Sequence, residues 1–552
     1  MKTIISILLL CCAAALSASA QPLQTDPATT TEPVSSDAAM AAIPATEDGY
    51  SATGIGANYR RWSRVTTYEG ANGKLLYVTN SYVELQDCIY YIRQGTTGPE
   101  WAESKAEIEA FPGGAVARQG PIQMIFANDL ATAGAIDAQT PAGRFRSHVL
   151  GLCYADSALQ TNVWIATVAS CQGQIISPNQ VLYPDALVGD GFAASVRYTY
   201  RVSGWEQDIL IKDPTSLIAP EAYGLDSSSP TLTLQVTSEF LDPPVPTQIP
   251  ETLMTIEGAA FEDEEVDWGL MKFQTGKAFF LGQDPDAKGI PVLKHWVEID
   301  SRHVLVEEMP FSSLMKALLS KDPGASLAPR TKSNRHLASL KSLPVLPPVK
   351  GDAKPMEVAA APSLEGSLVA DYGTISATQS NYVFACDTTY YIPGTLGAVN
   401  LNGTTTLEGG TVIKFASTNS AKLLINGPLV CQTGPYRMAV LTSKHDSSLG
   451  ESISGASGNP TNTGAIYIDA GASQTNAYSY LRVAYAGTGL RGPNFTNGVW
   501  HSQFVQCGKA VESTRYWRYN RERMEELDRQ GRIVYSKSGM PYQKRYLDES
   551  KV

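Results

Sequence analysis

Apolar and polar residues alternate over short stretches along most of this chain, and stretches long enough for an amphipathic helix are scarce. Lys74-Leu-Leu-Tyr-Val78, Ile122-Gln-Met-Ile-Phe126, Asn162-Val-Trp-Ile-Ala166 and Ala194-Ser-Val-Arg-Tyr-Thr-Tyr200 read as strands. Thr231-Leu-Thr-Leu-Gln-Val236 alternates strictly, as a strand with one buried face does. Asn128-Asp129, Pro141-Ala-Gly143 and Asp242-Pro-Pro244 separate the runs. The pattern predicts an all-β unit of the β-sandwich type over 57–310.

The rhythm changes twice beyond it. Residues 311–365 are rich in Pro, Ala, Lys and Ser, with Leu343-Pro-Val-Leu-Pro-Pro348 inside, and read as an extended linker. Residues 366–511 carry short apolar strands without intervening helix: Thr411-Val-Ile-Lys-Phe415, Lys422-Leu-Leu-Ile-Asn426, Met438-Ala-Val-Leu-Thr442, Ala465-Ile-Tyr-Ile-Asp469 and Tyr480-Leu-Arg-Val-Ala484. Asn402-Gly403, Gly409-Gly410, Asn426-Gly427 and Asn497-Gly498 stand at the joins. This spacing fits coils of roughly twenty-odd residues stacked strand on strand. It predicts parallel ladders over 390–511, with Val412, Leu424, Val440, Ile466 and Leu481 in the inner stacks.

The run Leu407-Glu-Gly-Gly-Thr-Val-Ile-Lys-Phe415, then Leu424-Ile-Asn-Gly427 and Leu441-Thr-Ser-Lys-His-Asp446, resembles the right-handed parallel β-helix segments of exported bacterial proteins. That resemblance implies right-handed coils and brings no activity with it. The 57–310 unit, through Asn179 to Asp185 and Val196 to Asp208, is similar to domains that precede such helices. The tail, 512–552, differs from everything upstream: fourteen of residues 521–551 are charged. Arg521 to Gln530 reads as a helix between an Asn520 N-cap and Gly531, and Arg532-Ile-Val-Tyr535 as a strand, giving a short α/β tail. Tyr516-Trp-Arg-Tyr519, Met524 to Ile533, Tyr535 to Pro541 and Lys544 to Glu549 resemble an internal segment of bacterial adenine-specific DNA methyltransferases. Cut off from its catalytic neighbours, such a segment implies a fusion or frameshift product; a capping helix for the last coil is the rival reading.

Composition adds the compartment. Lys2, the apolar run from Ile4 to Leu10 and the small residues Ala18-Ser19-Ala20 form a secretory signal peptide over 1–20, too short for a membrane span. A lipoprotein signal using Cys11 or Cys12 is the alternative. Residues 21–56, rich in Thr, Ala, Pro and Ser, read as a disordered linker. The chain is thus expected to be secreted or held at the cell surface, with no transmembrane segment after signal removal. Cys88, Cys153, Cys171, Cys386, Cys431 and Cys507 remain; disulfides and buried free thiols are both open. The net charge of −11 makes a general nucleic-acid partner unexpected.

Candidate chemistry is sparse. A methyltransferase needs an Asp/Asn-Pro-Pro-aromatic motif and a glycine-rich turn. Asp242-Pro-Pro-Val245 lacks the ring, and Pro112 spoils Phe111-Pro-Gly-Gly114. A polysaccharide lyase or hydrolase needs converging carboxylates. Asp371, Asp387, Glu408, Asp446, Glu451 and Asp469 do not recur at one coil's spacing, and Arg482 and Arg491 lack an evident acidic partner. His445-Asp446 reads as a loop pair rather than a cation or sugar site, and His501 as packing beside Trp500. Trp62, Trp101, Trp164, Trp205 and Trp296 read as core before sugar platforms. No catalytic, cofactor or metal residue is nominated. The expectation is a non-catalytic structural or binding protein that contacts polysaccharide or a surface protein through the β-helix face. A carbohydrate-active enzyme is the alternative.

Overall fold

The computed structural model describes residues 36–513 apart from 96–97, 255–259, 274–275, 282–289, 329–336, 340–342, 349–353, 364–366, 378, 396, 463, 471–475 and 493–497, together with 533–535 and 541–543. The chain is mostly β. It holds a ten-stranded antiparallel barrel in its N-terminal half and a β-solenoid of about five turns over 383–511.

The barrel replaces the expected sandwich. Gly143–Asp156, Leu232–Leu241, Arg302–Pro310, Ile290–Ile299, Gly276–Phe280, Leu368–Ala377, Gly204–Ile211, Ala193–Arg201, Gln180–Gly189 and Thr161–Val168 pair in that order, each antiparallel to the next. Thr161–Val168 then pairs back on Gly143–Asp156 and closes the ring. Alternation along a strand says which face is buried; it does not say whether the sheet stacks on a second sheet or curls onto itself. Closure removes both edges. The inward positions Val196, Tyr198, Tyr200, Trp205, Ile209, Leu234 and Val236 fill the interior.

Leu368–Ala377 belongs to this ring, so the solenoid begins after that strand rather than at 366. The stretch read as an extended linker touches the barrel at several points. Helix Phe311–Lys321 lays Phe311, Leu314 and Leu318 into the core, with Phe311 edge-on to Tyr154 at 5.6 Å. Glu357–Val358 pairs with Gln174–Ser177, and Met356 is buried beside them. The Arg302 guanidinium donates to the carbonyl of Pro344 at 2.7 Å. Pro-rich composition fixed an extended backbone here, and the apolar residues between the prolines supplied the docking.

Residues 36–56 are likewise ordered rather than linker. Ser51–Gly56 pairs with Tyr59–Glu69, which pairs with Leu75–Leu85. Tyr50 and Ile55 are buried, and the Tyr50 hydroxyl donates to the carbonyl of Ser452.

The solenoid stacks Thr389–Ile392, Val412–Phe415, Ala439–Ser443, Leu481–Ala484 and Gln503–Val505 in one parallel ladder. A second ladder runs through Gln379–Ser380, Val399–Asn402, Leu423–Ile425, Ile466–Ala470, Thr488–Gly492 and Lys509–Ser513. The inner column is Tyr390, Ile413, Leu441 and Val483. Ile466 and Leu481 are buried as expected, but Val412, Leu424 and Val440 are only half-buried. Their neighbours Ile413, Leu423, Ile425 and Leu441 point inward instead. Where consecutive residues are all apolar, period two fixes two faces without saying which is inner. Corners need glycine where coils touch: a Cβ on Gly427 would sit 1.9 Å from the carbonyl oxygen of Gly403 in the preceding coil.

The first coil is covered from before the barrel. Leu75–Leu85 runs parallel to Tyr390-Tyr391 through Val83 and Glu84, and Val83 and Leu85 join the solenoid core. Asp87 accepts from the Asn400 backbone at 2.8 Å and from its side-chain amide at 2.9 Å. The barrel is therefore an insertion between the solenoid's cap and its first turn. Further along the sequence, Ile533–Tyr535 and Pro541–Gln543 pair antiparallel. The expected signal peptide and the expected helix over 521–530 lie outside the described residues.

Candidate functional site

Two of the solenoid's carboxylates, Asp469 and Asp387, are held by cations of its own wall. Asp469 takes the Arg491 guanidinium at 2.6 Å and the Lys422 ammonium at 3.1 Å, so Arg491 does have an acidic partner. Arg491 and Asp469 face one another across neighbouring coils. The two cations, with the Arg491 hydrogen bond, outweigh burial and hold the Asp469 carboxyl below its ordinary range. Asp387 pairs with Arg437, and Glu408 accepts from the Cys386 backbone. Asp371 lies on the barrel strand Leu368–Ala377. The Arg482 Nε is buried and has no hydrogen-bond partner among the described residues.

Asp446 and Lys414, both within the β-helix resemblance, are parts of a loop clamp. Lys414 is fully buried and donates to the carbonyls of Asp446 at 2.8 Å and Glu451 at 2.6 Å. Burial pushes its ammonium down to about 8. The Asp446 carboxylate accepts from Thr442 Oγ1 at 2.8 Å and the Ser448 backbone at 3.0 Å. Together they fasten the loop after Ala439–Ser443, whose Gly455 backbone donates to Asp48. Lys414→Met strands two carbonyls. It should cost ~2–4 kcal/mol and open 444–458 to a protease at temperatures where the wild type resists; limited proteolysis checks this. His445 Nδ1 accepts from the Ser457 backbone, which fixes the ring in the same loop.

The remaining candidates resolve as structure. Trp62, Trp205 and Trp296 are buried, while Trp101 and Trp164 are half-buried. His501 stacks on Tyr480 at 5.0 Å. Asp242 is a turn residue paired with Arg146. Phe111 to Gly114 turns between two antiparallel strands, with no helix behind it to cradle a phosphate. The six described cysteines are free thiols. Among the described residues no group of three His, Cys, Asp or Glu side chains is placed to hold a metal, and no helix is long and apolar enough to cross a membrane. A cavity of about 440 Å³ opens beside Asn128, Asp129, Ser170 and Pro347. Its Asp129 carboxylate is already taken by Ser170 and by the backbones of Ala131 and Cys171.

The surface that sequence reading missed is the far half of the hairpin Tyr59–Glu69/Leu75–Leu85. Val65, Tyr68, Leu75, Leu76, Tyr77 and Val78 are all exposed, Tyr77 by 69%. Pairing places Val65, Leu75 and Tyr77 on one face and Tyr68, Leu76 and Val78 on the other. Ser51–Gly56 borders the hairpin only as far as Ser63, and Tyr390-Tyr391 meets it only at Val83 and Glu84. Among the described residues, then, nothing pairs with the outer edges of Arg64–Glu69 and Leu75–Tyr82. The result is a two-stranded ribbon with apolar residues on both faces and open hydrogen-bonding edges. Four consecutive apolar residues, Leu75 to Val78, were the signal: a strand so composed asks for cover on both faces.

No protein-family model, no curated protein and no solved structure matches this chain.

Proposed function

We propose that this chain is an exported, non-catalytic surface protein that holds a protein partner through its apolar ribbon, with the solenoid as a right-handed spacer and the barrel as its rigid base. The ribbon carries this reading. Exposed Val, Leu and Tyr on both faces, beside unpaired edges, suit a partner strand that adds main-chain hydrogen bonds and covers the side chains. They suit protein better than polysaccharide, whose hydroxyls ask for polar partners. A carbohydrate-active enzyme is less well supported, since Asp469 is occupied by Lys422 and Arg491, Asp387 by Arg437, Asp446 by Thr442 and Ser448, and Glu408 by a backbone amide. The methyltransferase-like tail is read as a fused segment without activity, and nucleic acid is no part of the proposal.

The double variant Leu76→Lys/Val78→Lys tests it. Produced in the native cells, the wild type should fractionate with the cell surface. The variant should pass into the medium with its thermal midpoint within about 2 °C of wild type, as surface changes allow. Equal partition of the two proteins would sink the reading.

A further inference from the structure

Inside the barrel, between apolar residues of its own strand, stands a lysine whose ammonium makes no hydrogen bond among the described residues. Lys294 shares the inward face of Ile290–Ile299 with Val292 and Trp296, and it is fully buried. The nearest carboxylate oxygen is Asp263 Oδ2, at 3.7 Å, beyond hydrogen-bond reach. Asp263 is 1% exposed, and its other oxygen, Oδ1, accepts from the Lys294 backbone at 2.6 Å. That bond holds the carboxyl with its Oδ2 toward the amine. Glu307 stands directly opposite Lys294 on the neighbouring strand, also 1% exposed, between the inward Leu305 and Met309. Its charge adds to burial in holding the Tyr198 phenol protonated, which places it among the lumen side chains.

The Lys294 amine and the Asp263 carboxyl stand 3.7 Å apart, both buried away from water. Those are the reactants of an amide condensation, held together without translational freedom. We propose that Lys294 and Asp263 join in an intramolecular isopeptide bond, with Glu307 as the proton relay. In that step Nζ attacks Asp263 Cγ and the Nζ–Cγ bond forms. The amine gives up a proton, which Glu307 carries to the leaving hydroxyl. The Cγ–OH bond breaks, and one water leaves. Nothing is oxidised or reduced, and no co-reactant is needed. The amide removes both charges from the lumen and ties Ala260–Asp267, a strand outside the ten-strand ring, to the ring strand Ile290–Ile299. With the six described cysteines free, it would be the barrel's covalent staple. The inference does not depend on the ribbon's role.

The full chain, purified and shown by near-ultraviolet circular dichroism to be folded, is weighed intact and digested with trypsin. The expected result is a mass one water below that of the mature sequence, a branched peptide joining Lys294 to Asp263, and no cleavage after Lys294. Lys294→Arg and Asp263→Asn, folded by the same criterion, should show the first variant unlinked and the second linked only with loss of ammonia in place of water. Glu307→Gln should fold and remain unlinked; a linked Glu307→Gln overturns the relay. A folded wild type of unreduced mass, cleaved after Lys294, overturns the bond, as does a lost water without the branched peptide.

Discussion

Phe415→Ala should cost the solenoid ~3–5 kcal/mol, the usual loss when a buried aromatic side chain is truncated in a core that cannot collapse around the gap. Phe415 is fully buried, and its ring stacks on Tyr467 of the adjoining coil at 4.1 Å and 9°. The coils above and below are tied by backbone ladders on two sides, so relaxation into the cavity is limited. In a stacked array each turn is supported only by its neighbours. The damage should therefore spread along 383–511 and stop at the barrel. Hydrogen–deuterium exchange reads this directly: amides of Val412–Phe415, Ala439–Ser443 and Ile466–Ala470 should lose protection, while those of Ala193–Arg201 and Leu232–Leu241 keep theirs. Uniform loss across both regions would show that barrel and solenoid unfold as one unit.

Glu239→Ala should be nearly as damaging to the barrel, at ~2–4 kcal/mol, because it abandons the Arg302 guanidinium and removes the carboxylate beside the buried His148 ring. The Glu239 carboxylate takes the Arg302 guanidinium at 2.7 Å and lies 3.0 Å from Nε2 of the buried His148. Arg302 in turn holds the strap at Pro344, so the strap should loosen as well. The pH dependence has a definite sign. Burial pushes the His148 imidazole down, with Glu239 offsetting only part of that. For Glu239, burial acts upward, but Arg302 and His148 outweigh it and hold the carboxyl below its ordinary value. Both groups are depressed in the folded state. Their contributions are present above the unfolded values and are lost as the pH falls, from about 6.5 for His148 and about 4.5 for Glu239. Thermal melts across this range should show wild type and variant converging below pH ~4.5, where Glu239 takes up its proton. A gap that stays constant down to pH ~3 would assign the loss to packing instead.

The solenoid was legible because its rungs repeat: glycine pairs at the corners and short apolar strands between them define a coil without any partner from elsewhere. The coil length even contained the Asp469–Arg491 pair, whose members are 22 residues apart and so fall one above the other. What period two could not supply was phase. Val412-Ile413-Lys414-Phe415 offers apolar residues to both faces, and its lysine, which reads as outward and wet, is buried under a loop. The barrel was legible as strands but not as a ring. Its closure rests on Leu368–Ala377 meeting Gly204–Ile211 and Gly276–Phe280, pairings set by curvature and distant contacts rather than local pattern. Lys294 was the overlooked local clue, since a charged residue between Val292 and Trp296 on a strand's apolar face requires an explanation.

The insertion of the barrel into the solenoid sets a timetable for folding. A chain delivered N-terminus first possesses nine ring strands well before Leu368–Ala377 arrives, and until then Gly204–Ile211 and Gly276–Phe280 offer bare edges to any neighbour. Gln86 waits longer still for Thr395, 309 residues downstream. Contacts so distant are slow to form, because the loop must close before any reward is felt. The ring and the cap on the first coil thus become possible only near the end of delivery, within one short span of sequence. A ribosome that stops before residue 368 releases a nine-stranded sheet with two open sides, which is a seed for aggregation rather than a shorter working protein.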